Sequence, residues 1–556
     1  MEYVVLAGIL LALLIAKGCY DSVNYKAKVR RQLRNQFGTV SEESYSEEKL
    51  LSLKSYFEAV RRPAYDIDDI TWNDLELDEL FMVLNQTVSA VGEEYLYAML
   101  RQPEFDPEEM KERERLISFF QTDEESRIAV QEALYQIGKS KRHSVYACMR
   151  YMSRIKRESN VPHYLAIAAL AASVASAFFF PAVGVVAVCG VVIYNLVSYL
   201  KRKPELEAYL ATITYLIRLL YASEKLAKSE IPEISVYAGR MKELNRHFAS
   251  FKRNFWIIGS KKPTGDMFEL LMMYFRMLLH LDLIKFNSML KVYDRYSGEL
   301  TQLYQAAGYL DALCAAASFR ALLGKGRYCV PELSAGTTPF YEAEELYHPL
   351  LEAPVSNTIR AKRSVLLTGS NASGKSTFLK ATAINALLAQ TIHTAAAKSY
   401  RAAYFQILSS MALRDNMKGN ESYFIVEIKS LKRMFEAAKA PVCTLCFVDE
   451  VLRGTNTLER IAASREVLAG LAGGRTLCFA ATHDIELTYL LEPLCGNYHF
   501  EETVTDDAVT FDYILREGRA TSRNAIRLLG MLGYPAEVIE RAEASAEHFL
   551  ATGEWK

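Results

Sequence analysis

The feature that most limits what this chain can fold into is a run of 37 residues, Tyr164–Leu200, without one charged side chain. Soluble helices of that length keep a polar face, and this run has none. Pro181 and Gly184 divide it into halves, each near the ~20 residues that cross a hydrocarbon layer roughly 30 Å thick. A proline and a glycine at the midpoint suit a tight turn, so the run predicts a transmembrane helical hairpin over 161–203. A second apolar run, Tyr3–Ala16, is short for a span, but Lys17 can snorkel and Gly18–Tyr20 can lengthen it. It predicts an N-terminal transmembrane anchor over 1–20. A cleaved signal is the rival reading. Against it stand an n-region without positive charge and Lys17 where a small residue should precede cleavage. The basic clusters Lys26–Arg34, Arg150–Arg157 and Lys201–Lys203 can all lie on the cytoplasmic side if the N-terminus is outside. The expectation is a multi-pass protein of the cell membrane, with the lipid bilayer as a partner and the C-terminal region facing the cytoplasm.

At 556 residues the chain is too long for one ordinary domain. Its 65 lysines and arginines balance 66 aspartates and glutamates, which excludes a whole-protein pull toward nucleic acid but leaves room for a local basic face. Nine scattered cysteines argue against a disulfide framework. Cys443 and Cys446 form a C-x-x-C, yet they lie in the apolar run Val442–Val448, which reads as a buried strand rather than a metal or redox site. Apolar residues at helical spacing fill Leu75–Leu100 and Glu108–Phe120, with Asp106-Pro107 as a helix start. After Gly324 the texture changes. Short β-rich runs, Ser364–Leu367, Thr444–Val448 and Thr476–Ala480, alternate with helical stretches, the pattern of a mostly parallel sheet. The fold class is therefore multidomain: an α-helical core in two parts, 21–160 and 204–345, transmembrane helices, and a C-terminal α/β P-loop domain over 346–556.

The chemistry sits in that last region. The strand Ser364–Thr368 runs into Gly369-Ser370-Asn371-Ala372-Ser373-Gly374-Lys375-Ser376-Thr377, a G-x-x-x-x-G-K-[ST] loop followed by the helical run Phe378–Leu388. Glycines let successive backbone N–H groups point at phosphate oxygens, and the helix adds its positive N-terminal end. Lys375 would reach the β- and γ-phosphates of ATP and Ser376 would ligate Mg²⁺. Leu445–Val448 leads into Asp449-Glu450; Asp449 would hold Mg²⁺ and Glu450 would act as general base toward water. A third apolar strand ends in Thr482-His483, where His483 can sense the γ-phosphate.

These residues resemble the MutS family of DNA mismatch-repair ATPases. Thr368–Thr377 is similar to the family's TGPNxGGKST, Asp449–Thr457 to DEhGRGTST, and Ala481–His483 to ATH. Asn420–Glu427 is similar to GxSTFxxEM, with Ser422 at the serine that reaches the other subunit's nucleotide. His348-Pro349 and the tail Gly530–Ala542 fit the family's opening and closing elements. Asp68–Phe119 and Ala306–Pro331 resemble its helical core. The resemblance implies a dimer, expected as a homodimer, whose composite sites use Ser422 in trans. Ser370, Ser373 and Tyr423 replace a proline, a glycine and a threonine. No counterpart of the mismatch-recognition and connector domains is expected, nor of the Phe-x-Glu wedge, so the chain is not expected to read mismatches. An ATPase acting on DNA in repair or recombination is the alternative. A transporter-type subunit is disfavoured, because Asn420–Phe424 stands where an LSGGQ-like signature would be.

Overall fold

The computed structural model describes residues 20, 23–41, 43–140, 144–155, 158–255, 274–370, 373–411, 423–452, 455–504, 509–520, 526, 529 and 533–554. The predicted anchor up to residue 19, and the predicted site residues Asn371, Ala372 and Ser422, lie outside the described residues.

After a helix over residues 23–36 come α1 Glu47–Val60, α2 Asp69–Asp74, α3 Leu77–Leu84, α4 Ala90–Arg101, α5 Pro107–Thr122, α6 Glu124–Tyr135 and α7 Val145–Met152. Their starts are written in the sequence. Ser46, Asp68, Ser89, Asp106, Asp123 and Ser144 each accept a hydrogen bond from a backbone N–H of the first turn that follows. The predicted helix start at Asp106-Pro107 is α5.

The apolar run folds as two packed helices, α8 Val161–Phe179 and α9 Pro181–Ala227, joined through Phe180. Gly184 is needed for their close approach: a Cβ there would lie 2.2 Å from the Ala177 Cα. α9 does not stop at residue 203. It runs 47 residues, through Lys201–Lys203 and Pro204, and carries the chain from the apolar hairpin into the helical core. The polar groups of the hairpin turn inward. His163 and His280 meet Nδ1 to Nδ1 at 3.0 Å, His280 Nε2 donates to the Asn195 carbonyl at 2.9 Å, and Tyr199 donates to Asp282 at 2.6 Å. The outer surface is left apolar, with Phe178, Phe179 and Phe180 83%, 79% and 68% exposed.

The helical core continues with α10 Ser235–Asn245, α11 Ala249–Lys252, α12 Leu281–Arg295 and α13 Ser297–Leu323. α13 is also long and apolar enough to cross a bilayer, but it is buried inside the protein. Its Asp311 caps α4 from outside that helix, accepting from the N–H of Ser89 at 3.0 Å and its hydroxyl at 2.5 Å. Burial pushes this carboxyl up to about 6.

The α/β region begins at β1 Glu332–Ser334, ahead of residue 346. It continues with β2 Tyr341–Leu346, β3 Asn357–Ala361, β4 Ser364–Thr368, α14 Lys375–Thr391, β5 Ser399–Ala403, β6 Phe405–Ser410, α15 Tyr423–Ala437 and β7 Cys443–Asp449. Then follow α16 Thr457–Leu471, β8 Thr476–Ala481, α17 Ile485–Leu490, β9 Cys495–His499, β10 Glu502–Val504, β11 Val509–Phe511, β12 Arg516–Glu517 and α18 Ala536–Thr552. The main sheet has the order β12-β9-β4-β8-β7-β6, parallel except for β12. A smaller sheet, β1-β5-β2-β3, and the pair β10-β11 complete it. β4, β7 and β8 are buried at every position, as a parallel sheet covered on both faces requires. Cys443 and Cys446, three apart in β7, point to opposite faces and are both buried. Burial pushes the Cys446 thiol up to about 12.

Candidate functional site

Three neighbouring strands, β4, β8 and β7, deliver the three predicted motifs to one edge of the sheet. Leu367 in β4 and Asp449 in β7 both lie beside Ala481 in β8. The loop from Gly369, the turn at Glu450 and the Thr482-His483 pair therefore emerge side by side at the carboxyl ends of parallel strands, where open α/β sheets bind ligands.

Backbone shape comes first. Gly369 has φ 143° and Gly374 has φ 102°, conformations that L side chains rarely adopt. A Cβ on Gly369 would also lie 2.9 Å from both the Phe500 carbonyl and the Ser373 hydroxyl. α14 then starts at Lys375, so the positive N-terminal end of the helix faces the loop. The Lys375 ammonium is 5% exposed and donates to the carbonyls of Gly369 at 2.8 Å and Ser370 at 2.7 Å. Ser376 Oγ donates to Asp449 Oδ2 at 2.5 Å. His483 Nε2 is 2.9 Å from Glu450 Oε1. Glu450 and Leu452 have φ of 56° and 59°, so the turn after β7 is strained. Buried Glu427 holds it by accepting the Leu452 N–H at 2.5 Å.

A cavity of about 420 Å³ opens over this turn, lined by Ser373–Thr377 and Glu450 on one side and by His348, Asn357 and Tyr513 on the other. Burial, aided by nearby Lys380, holds His348 down to about 4, so the imidazole is neutral at physiological pH. These residues fit a magnesium–nucleotide. The Ser373 hydroxyl is 1% exposed and has no hydrogen-bond partner, as a group meant for a ligand would. The Ser376 hydroxyl and the Asp449 carboxylate already converge where a hard cation would be shared.

Of the predicted residues, Gly369, Ser370, Ser373, Gly374, Lys375, Ser376, Thr377, Asp449, Glu450 and His483 are thus brought together. Three contributors escape a reading by motif. Glu502, 8% exposed, accepts from Ser370 Oγ at 2.5 Å. Asn357 ties down the Tyr513 segment, donating to the Tyr513 carbonyl at 3.0 Å and accepting from the Leu515 N–H at 2.7 Å. Arg460 forks onto Asp484, next to His483, at 3.0 and 2.6 Å. Phe500-Glu501-Glu502 is visible in the sequence, but nothing in its spacing places Glu502 on the loop.

The class of domain follows from a family comparison: residues 365–550 match the model of MutS domain V, and this part of the chain is MutS-like. Among named relatives, the DNA mismatch repair protein MutS of Natronomonas pharaonis is 30% identical over 272 residues, 47% of this chain and 31% of that protein. The DNA mismatch repair protein MutS of Thermus thermophilus is 34% identical over 202 residues, 35% of this chain and 25% of its own length. The DNA mismatch repair protein MutS 2 of Halobacterium salinarum is 30% identical over 271 residues, again 47% and 31%. The chain spans about a third or less of the length of these relatives.

Proposed function

We propose that the protein is a membrane-tethered MutS-like ATPase, which binds and hydrolyses Mg-ATP in composite sites of a homodimer. The observation that carries the reading is the paired contact at the sheet edge, Ser376 to Asp449 and His483 to Glu450, across the mouth of the loop that holds Lys375. Bound magnesium would neutralise phosphate charge between Ser376 and Asp449. Lys375 exchanges two carbonyl acceptors for phosphate oxygens when a nucleotide enters. Glu450, held by the strained turn and by His483, accepts a proton from an attacking water. Ser422 would complete the site of the partner subunit. The apolar exterior of α8 and α9 supports the tether, since 19 residues and the first 23 of α9 are long enough to span. In this arrangement the ATPase lies in the cytoplasm, and α9 links it mechanically to the bilayer.

The test is an ATPase assay on protein purified from membranes, comparing wild type with Glu450→Gln and Lys375→Ala, each with and without DNA. Glu450→Gln is expected to bind ATP and turn it over at least a hundredfold more slowly, and Lys375→Ala to bind weakly. Equal turnover in all three ends the assignment. Salt-dependent stimulation by DNA would support the alternative of an ATPase acting on DNA, in line with the DNA mismatch repair named for the relatives.

A further inference from the structure

After β9 the chain makes an excursion through β10 and β11, and it meets the loop that follows β4 on the way out and again on the way back. Going out, the Phe500 N–H donates to the Thr368 carbonyl at 3.1 Å. The Phe500 carbonyl then lies so close to Gly369 that an added Cβ would come within 2.9 Å of it. Coming back, the Tyr513 ring lies against Gly374, where an added Cβ would meet it at 3.1 Å. β10 and β11 pair with Glu502 opposite Phe511, so both contacts belong to one hairpin. Glu502, at the start of that hairpin, is 8% exposed and accepts from Ser370 Oγ at 2.5 Å, the length of a hydroxyl bond to a carboxylate. Neither Ser370 nor Glu502 lines the cavity. Ser370 is therefore held at two atoms from two directions: its hydroxyl by Glu502, and its carbonyl by the Lys375 ammonium at 2.7 Å.

We propose that Glu502 is a positioning residue for the nucleotide: through Ser370 it keeps the start of the loop in shape while Lys375 moves from loop carbonyls to phosphate. The inference rests on the ATPase reading above. The two restraints on Ser370 differ in kind. Lys375 has to release the carbonyls of Gly369 and Ser370 to reach a phosphate, whereas the Glu502 contact needs no such exchange. Without it, Gly369 and Ser370 regain backbone freedom as the ammonium leaves, and ordering them again costs conformational entropy that weakens binding. Glu502 acts through Ser370 and touches no phosphate. The loop needs an acceptor at residue 502 rather than a charge, because a carboxylate near a polyphosphate adds repulsion. A glutamine there, whose carboxamide oxygen also accepts, meets that need.

The test uses the full chain in detergent, with a fluorescent ATP analogue and magnesium for Kd and steady-state turnover for KM and kcat. Lys375→Ala is the weak-binding control. Glu502→Ala and Ser370→Ala should each raise Kd and KM about tenfold or more, while kcat falls by a smaller factor. A merely structural role would instead lower kcat along with affinity. The double variant should bind no more weakly than the weaker single one, since both remove the same contact. Glu502→Gln should bind within about threefold of wild type. Wild-type Kd in either alanine variant overturns the proposal, as do additive losses in the double variant. So does a Glu502→Gln protein as weak as Glu502→Ala, which would make the charge the active element. If wild type binds and Lys375→Ala does not, these results overturn this inference alone; if wild type itself fails to bind, the ATPase reading falls and takes the inference with it.

Discussion

Replacing Arg320 by methionine removes the cation that joins the end of α13 to the chain just past the far end of α14. Arg320 is 1% exposed. It donates to Glu114 at 3.0 and 2.5 Å, to the His393 carbonyl at 2.7 Å and to Thr394 Oγ at 2.8 Å. Burial pushes the Glu114 carboxyl up, but hydrogen bonds from His393 and Arg320 and the charge of Arg320 more than reverse this, taking it from 4.5 down to about 2. At about 1.4 kcal/mol per pH unit that shift is worth roughly 3 kcal/mol. Deleting one partner of a buried pair costs roughly 3–5 kcal/mol. Part of the shift belongs to His393 and Ser118, so the expected loss is about 2–4 kcal/mol, which lowers Tm by roughly 5–10 °C. The assay is thermal unfolding followed by circular dichroism at fixed protein and detergent concentration. Adding Glu114→Gln to Arg320→Met should recover at least half of the loss, because the stranded carboxylate is gone. The pH dependence has a definite sign. Glu114 is depressed in the folded state, so its contribution is present above pH 4.5 and is lost as pH falls toward 2, and Arg320→Met should flatten that acid limb. A loss below about 1 kcal/mol, or a double variant no more stable than the single one, would refute the argument.

Two further outcomes are expected. Gly369→Ala should abolish nucleotide binding in a fluorescent-analogue titration while Tm falls only modestly, since the methyl would meet the Phe500 carbonyl at 2.9 Å and distort the loop alone; retained affinity would contradict it. A cysteine introduced for Phe180, the exposed residue between the apolar helices, should react with a membrane-impermeant maleimide from outside intact cells. Reaction only after permeabilisation would reverse the topology proposed for the hairpin.

The strand–loop–helix around Gly369–Lys375 was readable because its information is local: two glycines, a lysine and a hydroxyl at fixed spacing, between a strand and a helix. The helical hairpin was readable for a similar reason, since an uncharged run needs no partner to identify it. The course of α9 was not. Lys201–Pro204 looks like a boundary, because proline breaks isolated helices, yet α9 continues and packs on α6 and α10 beyond it. Apolarity also leaves open what covers a helix: α8 lies on the surface and α13 inside the core, although both are long enough to span. The Ser370–Glu502 contact joins residues 132 apart, and the Arg320–Glu114 contact joins residues 206 apart. No periodicity encodes such pairs.

The link from helical core to site runs through α2, and one residue tests it. β6 is the edge strand of the main sheet, and its Ser409 and Ser410 lie beside Phe447 and Val448 of β7, just ahead of Asp449. Asp74 of α2, 2% exposed, accepts from Ser409 Oγ at 2.7 Å and from the Met411 N–H at 2.9 Å, while Thr71 Oγ accepts the Ser409 N–H at 3.1 Å. The flanks of α2 reach further: Asp68 pairs with Arg433 of α15, and Glu76 with Lys380 of α14 at 3.0 Å. The core thus grips both the strand edge next to Asp449 and the helix that begins at Lys375. Asp74→Ala strands a buried hydroxyl and a buried amide, each costing roughly 1–3 kcal/mol, so stability should fall by about 2–4 kcal/mol. Asp74→Asn keeps a carbonyl acceptor and should restore most of it. Because Asp74 does not line the cavity, KM for ATP should change little while kcat drops, as the strand end bearing Asp449 and Glu450 loses its support. An Asp74→Ala protein with wild-type Tm and wild-type kcat would show that α2 merely rests against the sheet.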